Sequence, residues 1–399
     1  MTPPYLCEAR RGPDGRIIEK TETVRGRKST WSYEYDEAGR LTKAQLDGRL
    51  ICQCWYDREG RRVRDYLPAT AGANYREYQY TQDNRLMRAG SGQYSHDERG
   101  FRSIWSARGV YTLYEYAPDY RLLKAEEEDR DKAFTFRHDE DGQRTAKYLN
   151  GELVEAYQWL DFVRLAGFHD GQHGHEFAYR DGERTPFAMR RDDGTVAGLF
   201  YDQVGSLRLV VDMHDNVIKE IVYDPFGGII EDTNPAQRIP LGFAGGLHDR
   251  DLGFVRFGWR DYDVKTGRWT APDPIGEKGG DPDWYGYCLD DPVNAVDPAG
   301  LWTNEHGEEI SKGRPITEYF PGIGTPFSAM GTKRNVQKGL RDKKADYSDE
   351  NDWEMRKNLE TEAEGFGFWD AVLGTYRFKT DDGAVEHYVG KAKSTIGKN

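Results

Sequence analysis

Through residues 1–237, aromatic and aliphatic positions alternate with polar ones in short runs, and each run breaks at a cluster of Asp, Gly and Arg. Alternation with a period of two is the pattern of a strand with one buried face. The run YEYDEAGRL, Tyr33 to Leu41, sets out the unit, and CWYDREGRRV, Cys54 to Val63, repeats it. Looser copies follow as YQYTQDNRL from Tyr78, YSHDERGF from Tyr94, YEYAPDYRL from Tyr114 and FRHDEDGQR from Phe136, at a spacing of about twenty residues. Degenerate copies continue at Tyr179-Arg180-Asp181-Gly182, Tyr201-Asp202-Gln203-Val204-Gly205 and Tyr223-Asp224-Pro225-Phe226-Gly227. In each copy Asp is expected to cap its own backbone and Gly to take a positive φ, closing a hairpin, while the Arg after Gly opens the next strand. One such hairpin cannot bury its aromatic face, so successive units are expected to pair edge to edge into a long sheet that curls on itself. The repeated Tyr, Asp and Gly read as architecture, with no part in catalysis.

Composition agrees with many hairpins, since the 399 residues include 25 Tyr, 45 Gly and 10 Trp. Mean hydropathy is −0.87 and no segment approaches the ~20 apolar residues of a membrane helix, so no span is expected. A net charge of −13 argues against a chain-wide electrostatic grip on nucleic acid and leaves room only for a local basic patch. The opening residues lack the apolar stretch of a signal peptide, so any export is expected by another route. Cys7, Cys52, Cys54 and Cys288 are too few and too irregular for a disulfide framework. Cys52 and Cys54 fall on one face of a strand and read as packing, because no second Cys or His pair follows at ligand spacing. His169, His173 and His175 in FHDGQHGHEF are metal ligands by type, but an exposed loop between repeats explains them as well, and no metal or other cofactor is expected.

The repeats resemble the YD repeats of the Rhs family of bacterial polymorphic toxins, which includes the C components of insecticidal toxin complexes. The resemblance implies a mainly β fold: a spiralling YD-repeat hairpin shell closed by an Rhs core-associated region, followed by a small α+β C-terminal domain carried as variable toxin. On this basis residues 1–237 are the hairpin array, 238–301 the core-associated autoproteolytic region and 302–399 the toxin. It also implies an immunity protein for the toxin, secretion machinery, a cytoplasmic stage before signal-peptide-independent export, and upstream repeats or a capping chain to complete so short a shell. An inert YD-repeat binding or surface protein is the alternative.

From Arg238 the text changes to RIPLGFAGGLHDRDLGFVRFGWRDYDVKTGRWTAPDPIGEKGG and then WYGYCLDDPVNAVDPAGL, ending at Leu301. This stretch closely resembles the Rhs core-associated region, including its terminal D-P-x-G-L motif as Asp297-Pro298-Ala299-Gly300-Leu301. The resemblance implies self-cleavage between Leu301 and Trp302. Hydrolysis of one peptide bond suits a carboxylate pair, one ionised to take a proton from water and one protonated to polarise the carbonyl. By resemblance Asp273 and Asp297 form the pair and Arg260 is the supporting cation. Asp261, Asp263, Asp290 and Asp291 are rivals in the same stretch, and Asp before Pro is also an ordinary turn cap. Pro272, Pro274, Pro292 and Pro298 read as rigid turn makers.

Residues 302–399 lack the frame and are close to balanced in charge, with a basic run from Lys333 to Lys344. Ser348 opens an expected helix, NDWEMRKNLETEAEG, stopped by Gly365, and LGTYRFKTDDGAVEHYVGKAKS reads as a hairpin turning at Asp382-Gly383. That hairpin resembles the start of GIY-YIG nucleases, with Gly374-Thr375-Tyr376 and Tyr388-Val389-Gly390-Lys391-Ala392-Lys393. Tyr376 and Tyr388 are thereby candidate toxin-site residues with nucleic acid as target, whereas the downstream Arg and Glu of that family have no counterpart here.

Overall fold

The computed structural model describes residues 3–301 and three C-terminal strands, Thr375–Lys379, Ala384–Val389 and Ala392–Lys398. The expected helix after Ser348 and the turn at Asp382-Gly383 lie outside the described residues. Among the described residues there is no α-helix, only short 3-10 turns, and the chain is a succession of antiparallel hairpins. No helix among them is long and apolar enough to cross a membrane.

The described residues fall into two compact units. The first holds 3–136, 200–210 and 217–301. Its array runs through strands such as Ile17–Val24, Arg27–Tyr35, Leu41–Leu46, Arg49–Tyr56 and Arg62–Tyr66, each paired antiparallel with the next. The alternation puts Ile17, Trp31, Tyr33, Leu41, Ala44, Ile51, Cys52 and Cys54 into one buried cluster. Cys52 and Cys54 touch through their sulfurs at 3.6 Å inside it, as packing requires.

The turn chemistry follows the frame. Asp57 Oδ1 accepts the N–H groups of Glu59 and Arg61, both at 2.9 Å, and Oδ2 accepts from Arg61 Nε at 2.9 Å. The Arg that opens the next strand thus neutralises the Asp that closes the last. A feature not legible in the pattern is a bulge just before the Tyr that ends a strand, at Glu34/Tyr35, Trp55/Tyr56 and Gln79/Tyr80. The bulge re-aims that Tyr along the sheet. Tyr35 donates to the Ile17 carbonyl, Tyr56 to Leu41 and Tyr80 to Arg62, at 2.7–2.8 Å, so each repeat is stitched to the one before it.

The second unit holds 137–199 and 211–216, with strands Arg144–Leu149, Glu152–Trp159, Leu165–His169, Gly174–Ala178 and Ala188–Arg191 in an antiparallel meander. The histidine segment is not the exposed loop expected of it: His169 and His175 are buried at the ends of two paired strands. His175 bonds Asp170 at 2.9 Å, His173 bonds Asp192 at 3.1 Å, and His169 Nδ1 accepts the Gly171 N–H. The C-terminal strands form a three-stranded antiparallel sheet of their own, whose first two members match the expected hairpin.

Candidate active site at the junction

After Arg238 the first unit folds a four-stranded antiparallel sheet, Leu247–Asp249, Phe254–Phe257, Arg260–Asp263 and Arg268–Trp269. Phe257 and Arg260 pair across a two-residue turn, which starts the third strand at the arginine. Tyr262, Trp269 and Tyr287 pack tightly here, with the Tyr262 and Tyr287 rings 4.5 Å apart and the Trp269 and Tyr287 rings 5.4 Å apart. The Arg260 guanidinium lies 4.2 Å over the Trp269 ring, so its plane is set by an aromatic wall.

Every nitrogen of that guanidinium is engaged. Nε donates to the Gly300 carbonyl at 2.6 Å and Nη1 to the Trp284 carbonyl at 3.1 Å. Nη2 meets Asp273 Oδ2 at 2.8 Å and Asp297 Oδ2 at 3.4 Å. All three side chains are buried, with Arg260 2% and Asp297 3% exposed, so these charges interact in a weakly screening medium. The remaining oxygens hold backbone: Asp273 Oδ1 accepts the Ile275 N–H at 2.9 Å, and Asp297 Oδ1 accepts the Leu301 N–H at 3.0 Å. Gly300 has φ +67 and an added Cβ would lie 2.4 Å from the Phe257 carbonyl, so only glycine lets the D-P-x-G-L turn approach the sheet this closely.

Burial raises both carboxyls above their ordinary value while Arg260 opposes it; for Asp297 the Leu301 N–H also opposes and the Asp273 charge adds to the rise. One cation shared by two buried carboxylates is the environment in which one ionises and the other keeps its proton. Burial pushes the Arg260 pKa down while both carboxylates hold it up, and a guanidinium starts high enough to stay charged.

Residues 8–281 match the family model described as Teneurin YD-shell. The chain belongs to the YD-shell family. Teneurin-1 of Gallus gallus is 27% identical over 342 residues, covering 84% of this chain and 12% of that protein. Probable deoxyribonuclease RhsB of Dickeya dadantii (strain 3937) is 29% identical over 293 residues, covering 69% of this chain and 17% of that protein. A crystal structure of TcdB2-TccC3-Cdc42 has the same fold, with TM-score 0.50 at 16% identity over 74% of this chain and 17% of that one. This YD-shell chain spans less than a fifth of the length of each of these relatives.

Within this YD-shell the four rival aspartates belong to other cations. Asp261 pairs with Arg256 at 3.1 Å, Asp263 with Arg102 at 2.7 Å, Asp290 with Arg62 at 2.5 Å and Asp291 with Arg16 at 3.2 Å. Three of those arginines come from the repeat array, so Asp263, Asp290 and Asp291 fasten the junction to the hairpins. Trp302 lies outside the described residues. Tyr376 and Tyr388 are directly opposite in the register of their two strands. Among the described residues no group of three or more His, Cys, Asp or Glu is arranged to hold a metal ion. Sequence reasoning missed the Trp269 wall and the Trp284 and Gly300 carbonyls, because nothing in a sequence says which backbone oxygen a distant guanidinium will reach.

Proposed function

We propose that this chain is the shell and junction of an Rhs-type effector, with residues 1–237 as hairpin array and 238–301 as the self-cleaving region that frees residues 302–399 as toxin. The observation that carries this reading is Arg260 Nη2 held between Asp273 Oδ2 and Asp297 Oδ2, with Asp297 Oδ1 on the Leu301 N–H. Asp273, with the shorter contact to Arg260, is the ionised member and takes a proton from water as that water attacks the Leu301 carbonyl carbon. Asp297, at the longer contact and repelled by the Asp273 charge, keeps its proton and donates it to the developing oxyanion. Collapse breaks the bond to the Trp302 nitrogen, which takes up the proton held by Asp273 as it leaves, while the new carboxyl group on Leu301 returns a proton to Asp297. No metal or cofactor enters these steps.

The same reading supplies the partners and setting: an immunity protein, secretion machinery, further repeats or a capping chain, and a bacterial cytoplasm before export. A second reading concerns the toxin alone. Tyr376 opposite Tyr388 supports a relation to the GIY-YIG hairpin and a nuclease acting on nucleic acid, tested by incubating the purified chain with plasmid DNA beside a Tyr376→Phe variant.

Intact mass of the purified chain, beside Asp297→Ala, tests the cleavage. The expected wild-type sample holds two fragments, the second beginning at Trp302, whose masses sum to the full chain plus one water, while the variant stays whole. A wild-type chain that remains whole would leave an inert YD-repeat protein as the better description.

A further inference from the structure

Two late turns of the array depart from the frame in the same way. After the glycine, where Arg40 and Arg61 stand in the early copies, Tyr201-Asp202-Gln203-Val204-Gly205 is followed by Ser206 and Tyr223-Asp224-Pro225-Phe226-Gly227 by Gly228. Neither aspartate has an arginine of its own turn. Both line one cavity instead, together with Lys20 and Glu22 of the strand Ile17–Val24 and Arg208 of the strand Leu207–Asp212. The cavity leaves about 30 Å³ for the centres of water-sized groups. That is room for roughly two of them, enough for a single small ion and far too little for a sugar or a nucleotide.

Hydrogen bonding on this wall is uneven. Glu22 is saturated: Oε1 accepts from the Tyr5 hydroxyl at 2.5 Å and Arg208 Nε at 2.9 Å, and Oε2 from Trp31 Nε1 at 3.1 Å and Arg208 Nη2 at 3.2 Å. Asp202 Oδ1 and Asp224 Oδ1 each hold two N–H groups of their own turn, and Asp224 Oδ2 accepts from Thr70. Donors are left over. Lys20, 5% exposed, stands 3.7 Å from Glu22 and 3.9 Å from Asp202, which is attraction without a hydrogen bond. Arg208 Nη1 and the Tyr223 hydroxyl, on side chains more than nine-tenths buried, have no hydrogen-bond partner among the described residues. Against these donors stand only Gln203 Oε1, also without a partner there, and Asp202 Oδ2, which Lys20 faces from 3.9 Å. Burying donors unmet is costly, so the wall is built for a group that accepts.

We propose that this cavity binds one small anion, the size of a halide, which accepts from Lys20 Nζ, Arg208 Nη1 and the Tyr223 hydroxyl. The ion ties the strand Ile17–Val24, at the start of the array, to two turns near its end, and nothing in this depends on cleavage.

Lys20 and Arg208 are already balanced by Glu22 and Asp202, so the anion enters with a proton on a wall carboxyl. Asp202 is suited to take it: burial raises it, the Glu22 charge adds to the rise, and Lys20, the Ser206 N–H and Arg208 oppose. Asp224, on the same wall, is pushed up to about 6 by burial. The other titratable groups that feel Asp202 are Tyr5, Cys7, Tyr33 and Tyr223, and burial holds all four above their ordinary values and neutral. A site that takes up a proton with its ion holds the ion more tightly at low pH.

The test compares melting of the full chain in sodium chloride and in sodium gluconate at equal ionic strength, at about pH 5 and about pH 8. Gluconate screens surface charge equally and is too large for the cavity. Chloride is expected to raise the melting temperature as binding to the folded state does, and more at the lower pH. Tyr223→Phe loses one donor and no packing, so the same rise is expected to need about tenfold more chloride. Lys20→Met is expected to lose the response; should it fail to fold, Tyr223→Phe carries the test alone. Bromide soaked into crystals is expected to give an anomalous peak within reach of both Lys20 Nζ and Arg208 Nη1. Equal melting in the two salts at both pH values overturns the proposal and leaves the cavity to water. A chloride response that Tyr223→Phe keeps unchanged overturns it too, because the ion then sits elsewhere. A bromide peak without any response in solution means binding at crystal concentration only, and also sinks it.

Discussion

The turns of the repeat array and the two aspartate turns of the junction use the same local chemistry and reach opposite electrostatic results. In both, Asp Oδ1 caps the backbone ahead of it: Asp57 takes the N–H of Glu59 and Arg61, Asp273 that of Ile275 and Asp297 that of Leu301. The second oxygen makes the difference. Asp57 turns it to its own Arg61, in partial contact with water, and its pKa is lowered. Asp273 and Asp297 turn theirs to one buried Arg260, and both are raised. A private, hydrated cation stabilises a carboxylate; a shared, buried one leaves the pair short of charge. A turn cap of the array and the aspartate pair of the junction therefore differ by where the arginine comes from.

The strongest way to break this comparison is to remove the cation from each region. Arg260→Ala strands two buried carboxylates and is expected to cost about 3–5 kcal/mol in denaturant unfolding, with no cleavage at Leu301. Arg61→Ala, at a partly solvated pair, is expected to cost about 1 kcal/mol or less and to leave cleavage intact. Equal losses in the two variants would sink the distinction between private and shared cations.

Asp224 sharpens it from within the array. It caps its turn on the N–H groups of Phe226 and Gly228, but Gly228 stands where the frame has Arg. Burial without that cation pushes its pKa up to about 6. Because the folded chain then holds the proton more tightly than the unfolded one, this group favours folding most at low pH. Its contribution is lost as pH rises from the ordinary carboxyl value of 3.8 through about 6. Asp224→Asn should therefore gain stability relative to wild type across that window, by on the order of 3 kcal/mol, and run parallel to it above. Parallel curves throughout, in melting temperature against pH, would show that the missing arginine is immaterial.

The smallest effect tests the stitching of the array. Tyr56→Phe removes the hydroxyl that reaches the Leu41 carbonyl and should cost about 1 kcal/mol, with cleavage unchanged. A loss of cleavage in this variant would mean that the junction senses the stitching of the array through Arg62, which pairs with Tyr56 in register and holds Asp290.

Much of the array was legible because its decisive bonds are short in sequence. Alternation placed Trp31, Tyr33 and Cys52 in the core, and Asp-x-x-Gly announced turns whose bonds span two to four residues. The bulge before each Tyr was not legible, since two residues opposing one leaves no mark on the alternation. The histidine segment misled because its glycines suggested a loop, while pairing with neighbouring strands buried its ends. At the junction the text marked the region and three residues of matching type. Which aspartate owns which arginine was not readable there.

By itself the sequence determined the hairpin period, the turn residues and the YD-shell character of the chain, because these depend on bonds between near neighbours and on alternation within a strand. Tertiary structure alone decided that Asp297 would meet an arginine 37 residues earlier, that Asp263 would be claimed by Arg102 and that a repeat turn would reach the junction at Tyr120. Charge interactions and burial act through space, and their strength depends on what packing excludes from between the groups, which neither composition nor spacing records.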